Sequence, residues 1–501
     1  MDHVSGSPCG KKSGHFKLSP SPIGSEKWRQ WDEQLADDHI ARLIKKSLSL
    51  LDLSPLMESY SGRGSAPHRP DLMVGMMLVE KHAGNCSPSA WHRHQTDHVS
   101  LCWIGEGICP ARGVWYQFRD RVGRYLDLWL SQILKLAQTT GITDATEGVI
   151  DGTLIAASAS RHRLLNDKQL TTRLQQLLEY VDQRKEPAIR RPGWMAKTPD
   201  GRRIQTVRFQ RAKELLQPRL VANAKKCPSE RLSVEQVVIS ASDPEAALAP
   251  DKFKVFRPLY NSILIADRHS QLILGFDVVA WGQDTNYLIS TIKRTEKLTG
   301  RSLEQVTADA GFITGHNLQQ CEQHRVELIG PWKTNDFSKP TASKFYLKDL
   351  FIWHADDNEY ECPAHQRLRF RSTEKRRRAD GHEELQKRFK TDRGVCVSCP
   401  LRSACTTSEE GREMRRGQYE DHVSAHRIKM ETPEAKAISK KRGQVIERCF
   451  ADAKEHRGLR RHTGRGLPRA KIDTGLTVLI HNLVVIQKAL ASQNPKRLTN
   501  P

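Results

Sequence analysis

Residues 442–458 read Arg442-Gly-Gln-Val-Ile-Glu447-Arg448-Cys-Phe-Ala-Asp-Ala-Lys454-Glu-His-Arg457-Gly458, so a carboxylate and an ammonium stand seven residues apart. Seven residues is about two turns of α-helix, which puts Glu447 and Lys454 on one face. Arg442, Arg448, Arg457, Arg460 and Arg461 surround them. A carboxylate and a lysine set among guanidinium groups suit a site that holds a metal and a phosphate together. A solvated helix face would carry the same residue types. A second group with chemical potential is Cys396-Val-Ser-Cys399, with Cys405 after it and Cys362 before it. C-x2-C forms a knuckle that presents two thiolates to one tetrahedral Zn²⁺, and Cys362 and Cys405 would complete four ligands. His365 and His382 are spare candidates, and reduced surface thiols are the alternative.

The elements needed to position these groups can be read from periodicity. Val445 or Ile446, Cys449, Phe450 and Ala453 recur at helical steps, and Gly458 suits a C-terminal cap. Residues 147–157, with Asp151 at their centre, switch to a β-branched pattern that predicts a strand, although Asp151-Gly152 could also be a hairpin turn. Further strands are expected over 236–242, 260–267 and 272–280, with Asp267 in the loop between the last two. A helix over 285–298 follows, then a strand from 303 that ends at Asp309, with Gly311 opening the next turn. A turn or cap role would also explain Asp309. Residues 26–144 carry a helical pattern after a Ser/Gly/Pro-rich start, 1–25, expected to be disordered. A polar insertion is expected over 186–206, and a basic, cysteine-rich one over 340–420, which includes the run Lys375–Arg378. The last apolar helix, about 474–490, should pack on the sheet and take His481 with it, leaving 491–501 as a flexible tail.

The chain has 501 residues, enough for two to four domains with cores of their own. Its net charge of +22 implies a polyanionic partner, because Lys and Arg displace counterions from nucleic-acid phosphates. Residues 1–18 lack the apolar core of a signal peptide, and no run approaches the ~18 apolar residues of a membrane span. Eleven cysteines, scattered apart from one cluster, suit a reducing compartment with one metal site rather than a disulfide scaffold.

The pattern Arg-x4-Glu-Arg-x-Phe-Ala-Asp-Ala-Lys-x-His-x-Gly at 442–458, followed by Arg465-Gly466 and His481-Asn482-Leu483, resembles bacterial insertion-sequence transposases of the DDE type. The likeness runs from about residue 53 to 488, and the helical region resembles the InsH-type N-terminal domain of such proteins. It implies an α/β fold: an RNase H-like mixed sheet flanked by helices over 145–490, preceded by an all-α DNA-binding domain at 26–144 and carrying a zinc-ribbon-like insertion. It further implies that Asp151, Asp309 and Glu447 are catalytic and hold magnesium, two ions for an in-line displacement, with Mn²⁺ able to substitute. Arg442, Lys454, Arg448 and Arg457 would contact DNA. The sequence departs from the family at Phe312, where tyrosine is usual, and at Arg442, which stands one place from the family's arginine. Asp284 is the alternative second acid.

The function expected on this basis is binding of an element's terminal inverted repeats, Mg²⁺-dependent cleavage of double-stranded DNA, and strand transfer to a target. The chain would act as a homo-oligomer on DNA, in the bacterial cytoplasm, with no membrane. A nuclease that cuts without joining is one alternative; a degenerate element protein or zinc-ribbon repressor that binds without cutting is the other.

Overall fold

The computed structural model describes residues 16–60, 64–182, 191–280, 284–332, 345–377, 383–392 and 394–493. It is a mixed α/β protein of two compact units. The first comprises Met1–Gly282, Thr291–Ser302 and Gln444–Pro501; the second comprises Gln283–Ser290 and Leu303–Gly443.

Among the described residues the first unit begins with eight helices: α1 (Glu26–Gln34), α2 (Ile40–Leu48), α3 (Ser54–Glu58), α4 (Pro70–His82), α5 (Pro88–His94), α6 (Val99–Ile104), α7 (Arg112–Val122) and α8 (Leu126–Thr139). Residues 1–15, most of the expected disordered start, lie outside the described residues. Packing begins before residue 26: the Lys17 amide donates to the Pro67 carbonyl at 2.8 Å, and Ser21 is buried. Helix α4 is buried almost all round, from Leu72 to Lys81, and Trp91, Trp115 and Trp129 are fully buried beside Phe118. Those large rings fill the space between short helices that could not otherwise bury enough area.

Strand β1 (Glu147–Ala156) runs unbroken through Asp151-Gly152, which rules out the hairpin-turn reading. After β2 (Leu164–Leu165) come α9 (Asp167–Asp182) and α10 (Pro199–Ala224), then β3 (Ile239–Ser240), β4 (Ala247–Pro250), β5 (Phe256–Asp267) and β6 (Ile273–Val279). β1 lies antiparallel to β5 with Asp151 opposite Leu264. The other edge of β5 takes β4 along its first half and β6 along its second. Helices α9 and α10 form an excursion with its own core, in which Leu170, Leu177, Phe209, Ala212 and Leu216 meet Val237 and Ile239. The sequence pattern over 236–242 predicts a longer strand than the two residues of β3, because Val234–Gln236 forms a 3₁₀ turn.

Asp267 is the buried anchor of the β5–β6 turn and accepts from the Ser270 amide, the Ser270 hydroxyl and Thr143. After α11 (Leu288–Thr299), the second unit holds β7 (Gln305–Thr307), α12 (Gly315–Gln323) and β8 (Glu327–Ile329), with β7 and β8 parallel. Then follow β9 (Ile352–His354), β10 (Glu359–Glu361), β11 (Arg367–Arg377), β12 (Glu383–Lys390) and β13 (Glu413–Gly417), an antiparallel sheet in the order β13-β12-β11-β10-β9. Phe351, Tyr360, Leu368, Phe389 and Met414 are its core. Helices α13 (Glu420–Glu431) and α14 (Pro433–Ala451) follow.

α15 (Leu467–Gln493) closes the chain within the first unit. It is long and apolar enough to cross a membrane by length and composition, but most of its residues are buried within the unit. Its Asn482 side chain bonds both the amide and the carbonyl of Ile273 at 2.8 Å, and so fixes the helix to the start of β6. Gly475 lets it approach closely: a Cβ there would sit 2.9 Å from Leu126 Cδ1 and 3.0 Å from Phe276 Cζ.

Candidate active site

The apolar face read from 442–458 is real: Ile446, Cys449 and Ala453 are buried, while Glu447 and Arg448 are exposed. The regular α-helix stops at Ala451, however, and continues as a π-helical turn over Asp452–His456 before Gly458 takes φ +67°. A π turn widens the helix by one residue, so Glu447 and Lys454 are not related by two plain α-turns. Gly458 has no space for a side chain, because a Cβ would lie 2.1 Å from the Gly84 carbonyl oxygen.

The π turn has an identifiable cause. The Asp452 carboxylate accepts from Arg457 Nε at 3.2 Å and pairs with Arg457 Nη2 at 3.0 Å, and it meets His481 Nδ1 at 2.8 Å. The Arg457 amide donates back to the Asp452 carbonyl at 3.0 Å, an i+5 closure. Burial alone would raise the Asp452 pKa, but His481 and Arg457 outweigh it and hold the carboxyl at about 2. Burial likewise disfavours charge on His481, yet Asp452, Cys449 and the Gln271 carbonyl push its pKa up. His481 is therefore a packed structural residue, as expected. Arg457 is the correction: it was expected on DNA, but it is buried, and its third group of donors reaches the His82 carbonyl at 3.0 Å. A guanidinium buried in the fold, with each nitrogen bonded to Asp452 or to the His82 carbonyl, is not presented to a phosphate.

The turn places Lys454 against β1. Its Nζ donates to Thr153 Oγ1, two residues along the strand from Asp151. Burial lowers the Lys454 pKa; repulsion from Lys252 and Arg460 adds to this, and Glu455 and Asp151 oppose it. Beneath, Ala453 and Leu459 pack on Ile155. The chain then runs beside the end of β1: the His462 amide donates to the Ala156 carbonyl at 2.9 Å, and Arg461 donates to the carbonyls of Ala157 and Ala159. Asp151 and Lys454 are thus brought together within one unit. Glu447 projects from the exposed side of the same helix.

Beyond the end of β1 lies an open groove of about 700 Å³ lined by five arginines, Arg161, Arg163, Arg257, Arg461 and Arg465, with serines between them. Among the described residues no acidic side chain lines it. Residue-by-residue reading missed it, because its arginines come from segments far apart in sequence.

In the second unit Asp309 lies two residues past β7. Its Oδ1 accepts from the Gly311 amide at 2.9 Å and the Phe312 amide at 3.3 Å, an Asx-type turn. This is the turn geometry weighed for it, and the half-exposed carboxylate keeps its second oxygen out of these bonds. Asp284 occupies the N-cap position of the 3₁₀ turn Thr285–Tyr287, where its backbone carbonyl accepts from the Tyr287 amide at 2.8 Å.

Residues 361–487 match the family model described as a transposase DDE domain. The match supports a DDE transposase. It takes in Glu447, Lys454 and all four candidate zinc cysteines, and leaves Asp151 and Asp309 outside. No curated protein matches the chain.

Within the transposase DDE match, Cys362, Cys396, Cys399 and Cys405 line one cavity of about 30 Å³. Burial pushes the Cys405 thiol pKa up; Arg412 opposes this, and the neighbouring Cys396, Cys362 and Cys399 raise it further. Among the described residues no three of these sulfurs come within 4.8 Å of one another, whereas sulfurs on one Zn²⁺ stand about 3.8 Å apart for bonds of about 2.3 Å. The spacing brings the thiols together without closing the tetrahedron. Of the spare ligands, His365 is exposed and holds Glu361 at 2.8 Å, and His382 lies outside the described residues.

Proposed function

We propose that this chain is a magnesium-dependent DNA transposase that binds the terminal inverted repeats of its element, cuts the strands there and joins the freed ends to a target. The observation that carries the reading is that Lys454, which lies in the segment matching the transposase DDE domain, is held against β1 near Asp151, which lies outside that segment. Asp151, Asp309 and Glu447 are the acids of an RNase H-like core; the assignment of Asp309 rests on its Asp-x-Gly-aromatic context. Their hard carboxylate oxygens suit Mg²⁺. These carboxylates would hold the two ions, whose bound chemistry would be activation of a water or 3′-hydroxyl and stabilisation of the leaving oxygen.

The chain's own residues do the rest. Lys454, held against β1, sets an ammonium where the scissile phosphate's charge must be met. Arg448 and Arg442 extend that positive surface along the helix. The arginine groove at the end of β1 holds the flanking phosphates, where contacts fix register without reading bases. The helices of 26–144 take the element ends. The cysteine cavity holds a structural zinc, which would relieve the mutual repulsion of four thiolates and stiffen the β9–β13 sheet.

The test replaces Asp151, Asp309 and Glu447 singly by Ala and measures end binding, cleavage and strand transfer with Mg²⁺. Cleavage and transfer should fall by several orders of magnitude while binding persists, because two ions cannot be held in line by the acids that remain. Asp284→Ala is the control. Asp267→Ala would be a poor one, since Asp267 is a buried turn anchor. Normal cleavage by all three alanine variants would end the DDE reading. Loss in Asp284→Ala with retention in Asp309→Ala would reassign the second acid. Cleavage without joined products would make the protein a nuclease, and binding without metal-dependent cleavage a repressor.

A further inference from the structure

Glu80, His94 and His98 place three ligand atoms within 4.8 Å of one another, the one such group among the described residues. None of the three belongs to the acids or to the cysteine cavity discussed above. Glu80 projects from α4 and is 2 % exposed, among Met76, Met77 and Val79 of the same helix. A carboxylate in such a place costs several kcal/mol unless it is compensated. Two imidazoles and the Asn85 side chain face it. His94 ends α5, and the His98 amide donates to the His94 carbonyl at 3.0 Å, so His-x3-His is spaced by one closed turn.

The two rings stack with centroids 4.6 Å apart and 15° between planes. His94 Nδ1 lies 3.0 and 3.1 Å from the two Glu80 oxygens, and His98 Nδ1 lies 4.0 Å from Oε1. Ligand atoms around a tetrahedral Zn²⁺ with bonds of about 2.0–2.1 Å stand about 3.3 Å apart. The Glu80–His94 separations lie just below that value and the Glu80–His98 separation lies above it, so a movement of His98 by about 0.7 Å would bring its nitrogen to ligand spacing from the carboxylate. As a plain ion pair the Glu80–His94 contact is complete in itself and leaves His98 Nδ1 4.0 Å from Oε1, beyond hydrogen-bond reach. A divalent cation would engage all three groups at once, because it takes a lone pair from each ring and balances the buried carboxylate.

We infer that Glu80, His94 and His98 form a transition-metal site for a Zn²⁺-class cation that pins the α5–α6 turn to α4. Two imidazoles with one carboxylate favour zinc-like ions over Mg²⁺, which prefers an all-oxygen shell. The half-exposed His98 leaves a side open for water to complete the coordination.

The test uses tag-free full-length protein carrying Cys396→Ser and Cys399→Ser, so that metal in the cysteine cavity is not counted. Metal-stripped protein is titrated with Co²⁺ and with Zn²⁺ in excess Mg²⁺, so that the carboxylates of Asp151, Asp309 and Glu447 are not counted. The expected result is one equivalent of Co²⁺, with visible ligand-field absorption and no near-ultraviolet thiolate charge-transfer band. Adding His94→Ala and His98→Ala should weaken binding at least tenfold and abolish the rise in thermal midpoint that Zn²⁺ gives the parent. Absence of stoichiometric Co²⁺ in the parent, or binding unchanged by the histidine substitutions, would overturn the assignment. Should the double variant fail to fold, His98→Gln at the half-exposed position decides alone. It should fold like the parent and bind at least tenfold more weakly, and equal affinity would refute the site.

Discussion

Replacing Asp452 by Ala should destabilise the first unit and disable the turn that carries Lys454. The carboxylate is the partner of both Arg457, whose side chain is 8 % exposed, and His481, at 10 %. Its removal strands a buried guanidinium that has only the His82 carbonyl left. Breaking a buried pair from one side costs about 3–5 kcal/mol. Asp452 is itself 19 % exposed, so water will reach the gap, and about 3 kcal/mol is expected. With a urea slope of about 2–3 kcal/mol per molar, the unfolding midpoint should fall by roughly 1 M.

Adding Arg457→Met should restore part of the loss, because the uncompensated cation is then gone. The pH dependence has a definite sign. The Asp452 pKa is depressed from 3.8 to about 2, so its contribution is present above 3.8 and lost as pH falls through about 2. The His481 pKa is raised from 6.5 to about 10, so its contribution is complete below 6.5 and lost as pH rises through about 10. The stability gap between wild type and Asp452→Ala should therefore be flat from about pH 4 to 6.5 and shrink at more alkaline pH. Tryptophan fluorescence against urea at several pH values measures it, with cleavage assayed on the same preparations. A loss under about 1 kcal/mol, or no recovery in the double variant, would refute the idea that a buried ion network builds the π turn.

Lys454→Met keeps the bulk of the side chain and removes its charge. End cleavage should fall about 100-fold with end binding nearly unchanged, read by single-turnover cleavage and mobility shift. Arg161→Ala/Arg163→Ala/Arg465→Ala, all in the groove at the end of β1, should weaken DNA binding and make the slope of log affinity against log salt shallower by about 2–3, as three lost phosphate contacts require. Cys396→Ser/Cys399→Ser should lose one zinc per chain on metal analysis and loosen the β9–β13 sheet to proteolysis before the rest of the protein. Undiminished zinc would exclude the cavity as its site.

Some of this protein was legible in its sequence, because the signal was local. The apolar steps at Ile446 and Cys449 marked the buried face of α14, apolar runs marked β5 and β6, and the C-x2-C spacing placed Cys396 and Cys399 at one cavity. These depend on residues a few positions apart, for which backbone geometry alone decides direction. The family pattern at 442–458 likewise led to the segment that the transposase DDE domain match contains.

What the tertiary structure decided was set by contacts between residues far apart in the chain. Helices α1–α8 share one compact unit with β1–β6, although their pattern reads as a separate domain. The basic run at Lys375–Arg376 is half of an antiparallel ladder in which Arg376 faces Glu384, a cross-strand charge pairing that its own sequence does not show. The π turn exists because His481, 29 residues on, meets Asp452, and that turn carries Lys454 to Thr153 across 301 residues of sequence. Arg457 looked like a DNA contact for the same reason that it is not one. Its charge is visible in the sequence, but the carboxylate and carbonyl that consume it appear only when the chain closes on itself.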